Sequence, residues 1–102
     1  MNIVGQEVLG KFSRKHTDAR AWIAAWVAAV QAAAWQNIDE VRRVYRHADG
    51  VRLKSGNVVT VFNCKGNEHR LLTYVAYPAH IVQVLEVLTH AEYSKDSWKE
   101  RY

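Results

Sequence analysis

A chain of 102 residues has room for one hydrophobic core, so residues 1–102 are read as a single domain. Hydrophobic residues make up 49%, charged residues 24%, and there is one proline, a balance that excludes a disordered or low-complexity chain. Fourteen Lys and Arg against ten Asp and Glu leave a net charge of +4, which favours a polyanionic partner, and the lone Cys64 excludes an intrachain disulfide and a Cys-x-x-Cys metal site. A reducing compartment such as the cytoplasm fits that cysteine usage.

In chain order, "NIV" at 2–4 is long enough only for an edge strand. In "GQEVLGKFSRKH", Val8, Leu9 and Phe12 recur at helical spacing, with Lys11, Arg14 and Lys15 elsewhere on the turn, which predicts a short amphipathic helix. Thr17 or Asp18 caps a second helix, whose stripe of Trp22, Trp26, Ala29 and Ala33 is backed by Ile23, Val27 and Val30. Being apolar nearly all round, it is expected between the sheet and either the first helix or a partner protein, with Trp22 and Trp26 nearest that partner. Its core, "AWIAAWVAAVQAAAW", is shorter than the roughly 20 residues a membrane span needs. A signal-peptide reading would put Glu7, Asp18 and three tryptophans in the leader, so a buried helix is the simpler account.

Asn37 or Asp39 starts a third, short helix through "IDEVRRVYRH". The stretches "VRLK", "VVTVFNC", "EHRLLTYVAY" and "HIVQVLEVL", separated by "SGN", "KGN" and "PA", then read as a four-strand meander. Alternation places Val59, Val61 and Asn63 on one face and Val58, Thr60 and Phe62 on the other, with Lys65 in the bend. Thr89 and Glu92 have capping-box spacing for a C-terminal helix packed by Trp98. The expected fold is α+β: N-terminal helices on one face of an antiparallel meander, with a C-terminal helix.

Lys65 and Asn67 share the bend, Arg70 leaves it, and the fourth strand returns the chain so that His90 and Tyr93, three apart on one helix face, start the terminal helix. Cleaving RNA without a metal needs a base for the 2′-hydroxyl, a cation for the charge growing on phosphorus oxygens, and an acid for the leaving oxygen; this set holds candidates for each. Each residue also has a plainer reading. Lys65 and Asn67 beside Gly66 are ordinary turn residues, Arg70 is a solvated or paired cation, His90 helps the cap, and Tyr93 is a core aromatic. Arg42, Arg43 and Arg46 form a basic run, either a solvated face or a contact for RNA phosphates. His16, His47, His69 and His80 are scattered without ligand spacing, so no metal site and no cofactor are expected; Cys64 reads as a small buried hydrophobe.

"VFNCKGNEHRLLTYVAY" and "LTHAEYSKDSW" resemble the HigB family of bacterial toxins, whose hallmark is V-F-N-x-x-G-N-x-x-R-L followed by T-H-x-E-Y. The likeness extends back through "FSRKHTDAR" and "WQNIDEVRRVYRHADGV". It implies the compact RelE/ParE fold, and an mRNA endoribonuclease that acts on the translating ribosome. It further implies a HigA-like helix-turn-helix antitoxin, with operator DNA bound only through the toxin–antitoxin complex, and no membrane association. Asn63, Gly66, Asn67, Arg70, His90, Glu92 and Tyr93 fall inside the motifs. From chemistry, Lys65 and Arg70 are assigned to the phosphate and His90 and Tyr93 to proton transfer, with Asn63, Asn67, Arg42, Arg43 and Arg46 binding RNA. Cys64 stands where an aliphatic residue is common, and the second helix is unusually rich in alanine. Two other readings stay open: a non-catalytic RNA- or ribosome-binding module, and a protein-interaction domain without a nucleic-acid role.

Overall fold

The computed structural model describes residues 1–102. Strand β1 (Asn2–Val4) leads into helix α1 (Gln6–Lys15), a 3-10 turn (Thr17–Ala19), α2 (Arg20–Ala32) and α3 (Ile38–Val44). The meander β2 (Asp49–Arg52), β3 (Val58–Cys64), β4 (His69–Ala76) and β5 (Ile81–Thr89) follows, and α4 (His90–Ser94) and a last 3-10 turn (Ser97–Glu100) close the chain. The five strands form one sheet in the order β1-β5-β4-β3-β2. The meander is antiparallel throughout, whereas β1 runs parallel to β5, so the sheet is mixed. No helix is long and apolar enough to cross a membrane.

The first layer forms as the apolar periodicity dictates. Leu9 of α1, Ile23, Trp26 and Val30 of α2, and Val41 of α3 pack on Phe62, Cys64, Leu71, Val82 and Val84 of the sheet. Trp26 is wholly buried edge-to-face on Phe62, and Trp22 is half-buried against Tyr45, so Trp26 is unavailable to a partner protein. The approach of α1 to β5 depends on Gly5, whose φ is 87° and where a Cβ would lie 2.7 Å from the Val84 carbonyl oxygen. Asn37 is the cap of α3, accepting from the Glu40 N–H at 3.0 Å.

The other face is also covered, contrary to the one-sided layout expected from the sequence. Val59, Val61, Leu72 and Leu88 close around Trp98, which is fully buried and packs the C-terminal segment as expected. The expected C-terminal helix is two short turns. Asp96 adopts a left-handed conformation (φ 62°) between α4 and the Ser97–Glu100 turn, and this break folds Trp98 back onto the sheet. Burying an aromatic side chain of this size removes on the order of 150–250 Å² from water, roughly 4–6 kcal/mol as an upper bound. That gain is reason enough for the segment to abandon a continuous helix.

An irregularity in β5 decides which residues reach this second face. Leu72 pairs with Glu86, yet the next residue, Thr73, pairs with Val84, so Leu85 is an extra residue. Before the bulge Val82 and Val84 face the helices; after it Glu86 and Leu88 face Trp98 and the C-terminal turn. Strict alternation would have put all four on one side.

Candidate active site

The β3–β4 hairpin turns on two consecutive left-handed residues, Lys65 (φ 52°) and Gly66 (φ 67°). A non-glycine residue pays about 1–2 kcal/mol to sit there, which explains glycine at the second position. At Lys65 the strain accompanies a specific contact: Nζ lies 2.7 Å from the Asp18 carboxylate and 3.9 Å from that of Glu68. The hydrogen bond between Lys65 and Asp18 raises the ammonium above and holds the carboxyl below its ordinary pKa. Lys65 thus ties the hairpin to the helical layer and already has anionic partners.

Arg70 belongs to the other face. It pairs in register with Asn63, is 9% exposed, and has no carboxylate partner. Its Nη1 donates to the carbonyls of Asn67 and His69, both at 3.2 Å, and its Nη2 to the Asn67 side-chain oxygen at 3.3 Å. Neutral acceptors fix the fork while leaving the full charge uncompensated, the arrangement that suits an arriving anion. The guanidinium carbon lies 5.5 Å from the centroid of the Tyr93 ring, which in turn stacks on Trp98 at 5.3 Å. Trp98, Tyr93 and Arg70 therefore form one pile, anchored from below by the buried indole.

The capping box expected at the start of α4 is present: Thr89 accepts from the Glu92 N–H at 3.1 Å, and Glu92 accepts from the Thr89 N–H at 3.0 Å. The His90 N–H donates to the Glu68 carbonyl at 3.1 Å, fastening the helix start to the hairpin tip. His90 is exposed, and its ring makes no hydrogen bond. The Tyr93 hydroxyl is likewise unpaired; burial, reinforced by the field of Asp49, raises its pKa above 10, so the phenol is protonated at neutral pH and is a donor, not a base.

Of the four residues assigned to chemistry, the fold brings Arg70 and Tyr93 into contact, starts α4 at His90 three residues before Tyr93, and draws Lys65 into its ion pair with Asp18. Asn63 and Asn67 line a groove of about 340 Å³ with Gly66 and His47. A neighbouring groove of about 230 Å³ is lined by Arg46, His47 and Asn63 among others. Arg46 and Arg43 are exposed and unpaired, but Arg42 is occupied, donating to the Ala48 carbonyl at 2.9 Å and lying 3.5 Å from Asp49.

Sequence reasoning passed over His47. Asp49 pairs with Val61, and the antiparallel register carried two residues outward sets position 47 opposite Asn63. The signal was the hairpin centred on "SGN", whose strand lengths fix that register. His69 belongs to the helical side: it is 7% exposed, packs edge-on to Phe12 at 4.8 Å, and burial lowers its pKa, so it is neutral core. Cys64 is buried with its thiol pushed up to about 12, chiefly by desolvation, and is inert. No three His, Cys, Asp or Glu side chains converge as a metal-holding group.

No curated protein matches the chain. The sequence profile of HigB_toxin, described as a RelE-like toxic component of a toxin-antitoxin system, matches residues 19–96, a span that takes in α2 to α4 and every strand except β1. With its helices layered on a mixed five-strand sheet in keeping with a RelE-like fold, the chain belongs to the HigB_toxin family.

Proposed function

We propose that this toxin is an endoribonuclease that cuts mRNA by attack of a ribose 2′-hydroxyl on the adjacent phosphate. The observation that carries the reading is the Arg70 guanidinium, nearly buried, held by three neutral oxygens and stacked on a protonated phenol. A scissile phosphate in the groove beside Asn63 and Asn67 would receive its charge stabilisation from Arg70. Tyr93 gives its proton to the departing 5′-oxygen as the 2′-oxygen bonds to phosphorus, which leaves a 2′,3′-cyclic phosphate and a 5′-hydroxyl. His90, next to the pile, takes the 2′-hydroxyl proton; His47 lies across the groove as the alternative base. Lys65 serves the phosphate only after leaving Asp18, so its role is secondary to that of Arg70. Arg43 and Arg46, both unpaired, extend the basic surface along the RNA, and Arg42 backs them through Asp49. Translating ribosomes supply the mRNA, and no metal or other cofactor takes part.

The inhibitory partner is a HigA-like helix-turn-helix antitoxin, operator DNA is met only through that complex, and the toxin acts in the cytoplasm. Family membership supports an antitoxin partner in general. A second reading, an RNA- or ribosome-binding module that blocks translation without cutting, draws on the fact that no imidazole or carboxylate is hydrogen-bonded to Tyr93 or Arg70. Mapping mRNA 5′ ends after induction separates the two: new 5′-hydroxyl ends are expected for the nuclease. Growth arrest with intact mRNA would replace it with the binding module.

A further inference from the structure

A second groove, of about 470 Å³, lies between α1 and the end of β5, reaches Thr89 and Glu92 at the start of α4, and does not include Arg70. Lys11, Arg14 and Lys15 line it, all three exposed, and none makes an ion pair or a side-chain hydrogen bond. The two carboxylates on the opposite wall do not answer them. Glu86 binds Arg101 through both oxygens at 2.8 Å and accepts the Tyr102 hydroxyl, and Glu92 is taken by the Thr89 N–H in the capping box. The groove therefore gathers three unpaired cations against a single carboxylate, Glu92, that no cation pairs.

Its floor is apolar and aromatic. Phe12 and His16 stack with their centroids 4.4 Å apart, flanked by Val8 and Val87. Cations along a rim above an aromatic surface match the two repeating features of single-stranded nucleic acid, a phosphate on every residue and a flat base beside it. An acidic peptide could satisfy the cations, but it lacks the regular repeat of one phosphate beside one flat base that runs the length of a nucleic acid strand. The position also fits: Thr89 and Glu92 wall this groove, while Tyr93, one residue on, belongs to the pile at Arg70. A strand crossing the exposed N-terminal turn of α4 passes from one groove to the other.

We infer that the α1–β5 groove is a second, non-catalytic binding site for single-stranded RNA, gripping the phosphates of the strand on one side of the linkage cut at Arg70 and Tyr93. The inference rests on the nuclease reading above, and its test is separable from the test of that reading. The probe is a single-stranded 2′-O-methyl RNA oligonucleotide, which offers no 2′-hydroxyl for attack, bound to the full chain over a range of salt. The variant is Lys11→Gln/Arg14→Gln/Lys15→Gln, whose three exposed helical positions tolerate glutamine without loss of fold. Each phosphate neutralised on a single strand contributes about 0.7 to the slope of log K against log salt, so the triple variant is expected to lower that slope by roughly 2. It is expected to leave the positions of mRNA cuts in cells unchanged.

An unaltered slope overturns the groove proposal, whatever the nuclease does. A slope that falls together with displaced cut sites overturns the separation of binding from reaction. Weakened antitoxin binding with RNA binding intact would assign the groove to the protein partner and likewise overturn it. Absence of mRNA cleavage by the unaltered toxin, in contrast, sinks the nuclease reading and leaves the salt slope to be judged by itself.

Discussion

Replacing Arg70 tests the pile of side chains at the end that bears its charge. Arg70→Ala removes three hydrogen bonds to the Asn67 and His69 oxygens and the contact with the Tyr93 ring. The orphaned acceptors lie in or next to an exposed loop and can rehydrate, so the cost is set at about 1–2 kcal/mol rather than at the sum of three charge-assisted bonds. For a domain of this size that corresponds to a fall in Tm of roughly 5–15 °C. Against a typical stability of at least about 5 kcal/mol, some 3 kcal/mol remain, and under about 1% of the protein is unfolded at 25 °C. Loss of a cation that stabilises charge developing in the transition state costs about 10²–10³ in rate, far more than the unfolded fraction accounts for. Arg70→Lys keeps a point charge but cannot span three acceptors in one plane, so an intermediate loss, roughly tenfold, is expected. Growth arrest and mRNA 5′-end mapping, beside thermal melts of the purified variants, supply both numbers. A folded Arg70→Ala protein that still cuts mRNA at the original rate would refute the assignment of Arg70 to the phosphate.

Tyr93→Phe retains the stack on Trp98 and Arg70 and removes a hydroxyl with no hydrogen-bond partner, so stability stays within about 0.5 kcal/mol while cleavage drops about 10²–10⁴-fold; equal loss of both in melts and cleavage assays would make Tyr93 purely structural. Trp98→Ala empties a fully buried site and is expected to cost about 3–5 kcal/mol by chemical denaturation, with Tyr93 fluorescence or near-UV dichroism reporting the loosened pile. Asp18→Asn breaks the ion pair that tethers the hairpin. Because the Asp18 pKa is lowered from 3.8, its contribution is present above that value and disappears as pH falls through the folded-state pKa. The raised pKa of Lys65 makes its share complete below 10.5 and lost as pH climbs through the folded-state value. The stability difference between wild type and Asp18→Asn is therefore expected to vanish at both acid and alkaline extremes, and a difference independent of pH would contradict the pairing.

Much of the fold was legible because it is written in local periods. Leu9 and Phe12 recur at helical spacing and turn to the core, and Val59 and Val61 alternate with Thr60 and Phe62 across the sheet; in α2 the helical period was legible, but the buried stripe is Ile23, Trp26 and Val30, with Trp22, Ala29 and Ala33 only half-buried. The capping box at Thr89 and Glu92 was equally local, needing only a four-residue window. Where longer range entered, local reading fell short. Trp98 sits in a run of charged and polar residues, and nothing nearby marks it as the centre of a second core. For Lys65 the hairpin was readable, but its partner Asp18 lies 47 residues away, so a cation that looked free is paired. His47 entered the groove through strand register, and the facing of Glu86 and Leu88 through a bulge that no alternation pattern reveals.

By itself, then, the sequence determined the N-terminal helices, the meander, the bend at Gly66 and the kinship with a toxin family, since propensity, period and motif act over a few residues or along one continuous stretch. Only the tertiary structure decided which cation remains unneutralised, which phenol it faces, and that both faces of the sheet are covered. Those outcomes depend on a charge's distance to every other charge and on surface buried between segments far apart in the chain, quantities that exist only once the layers have closed.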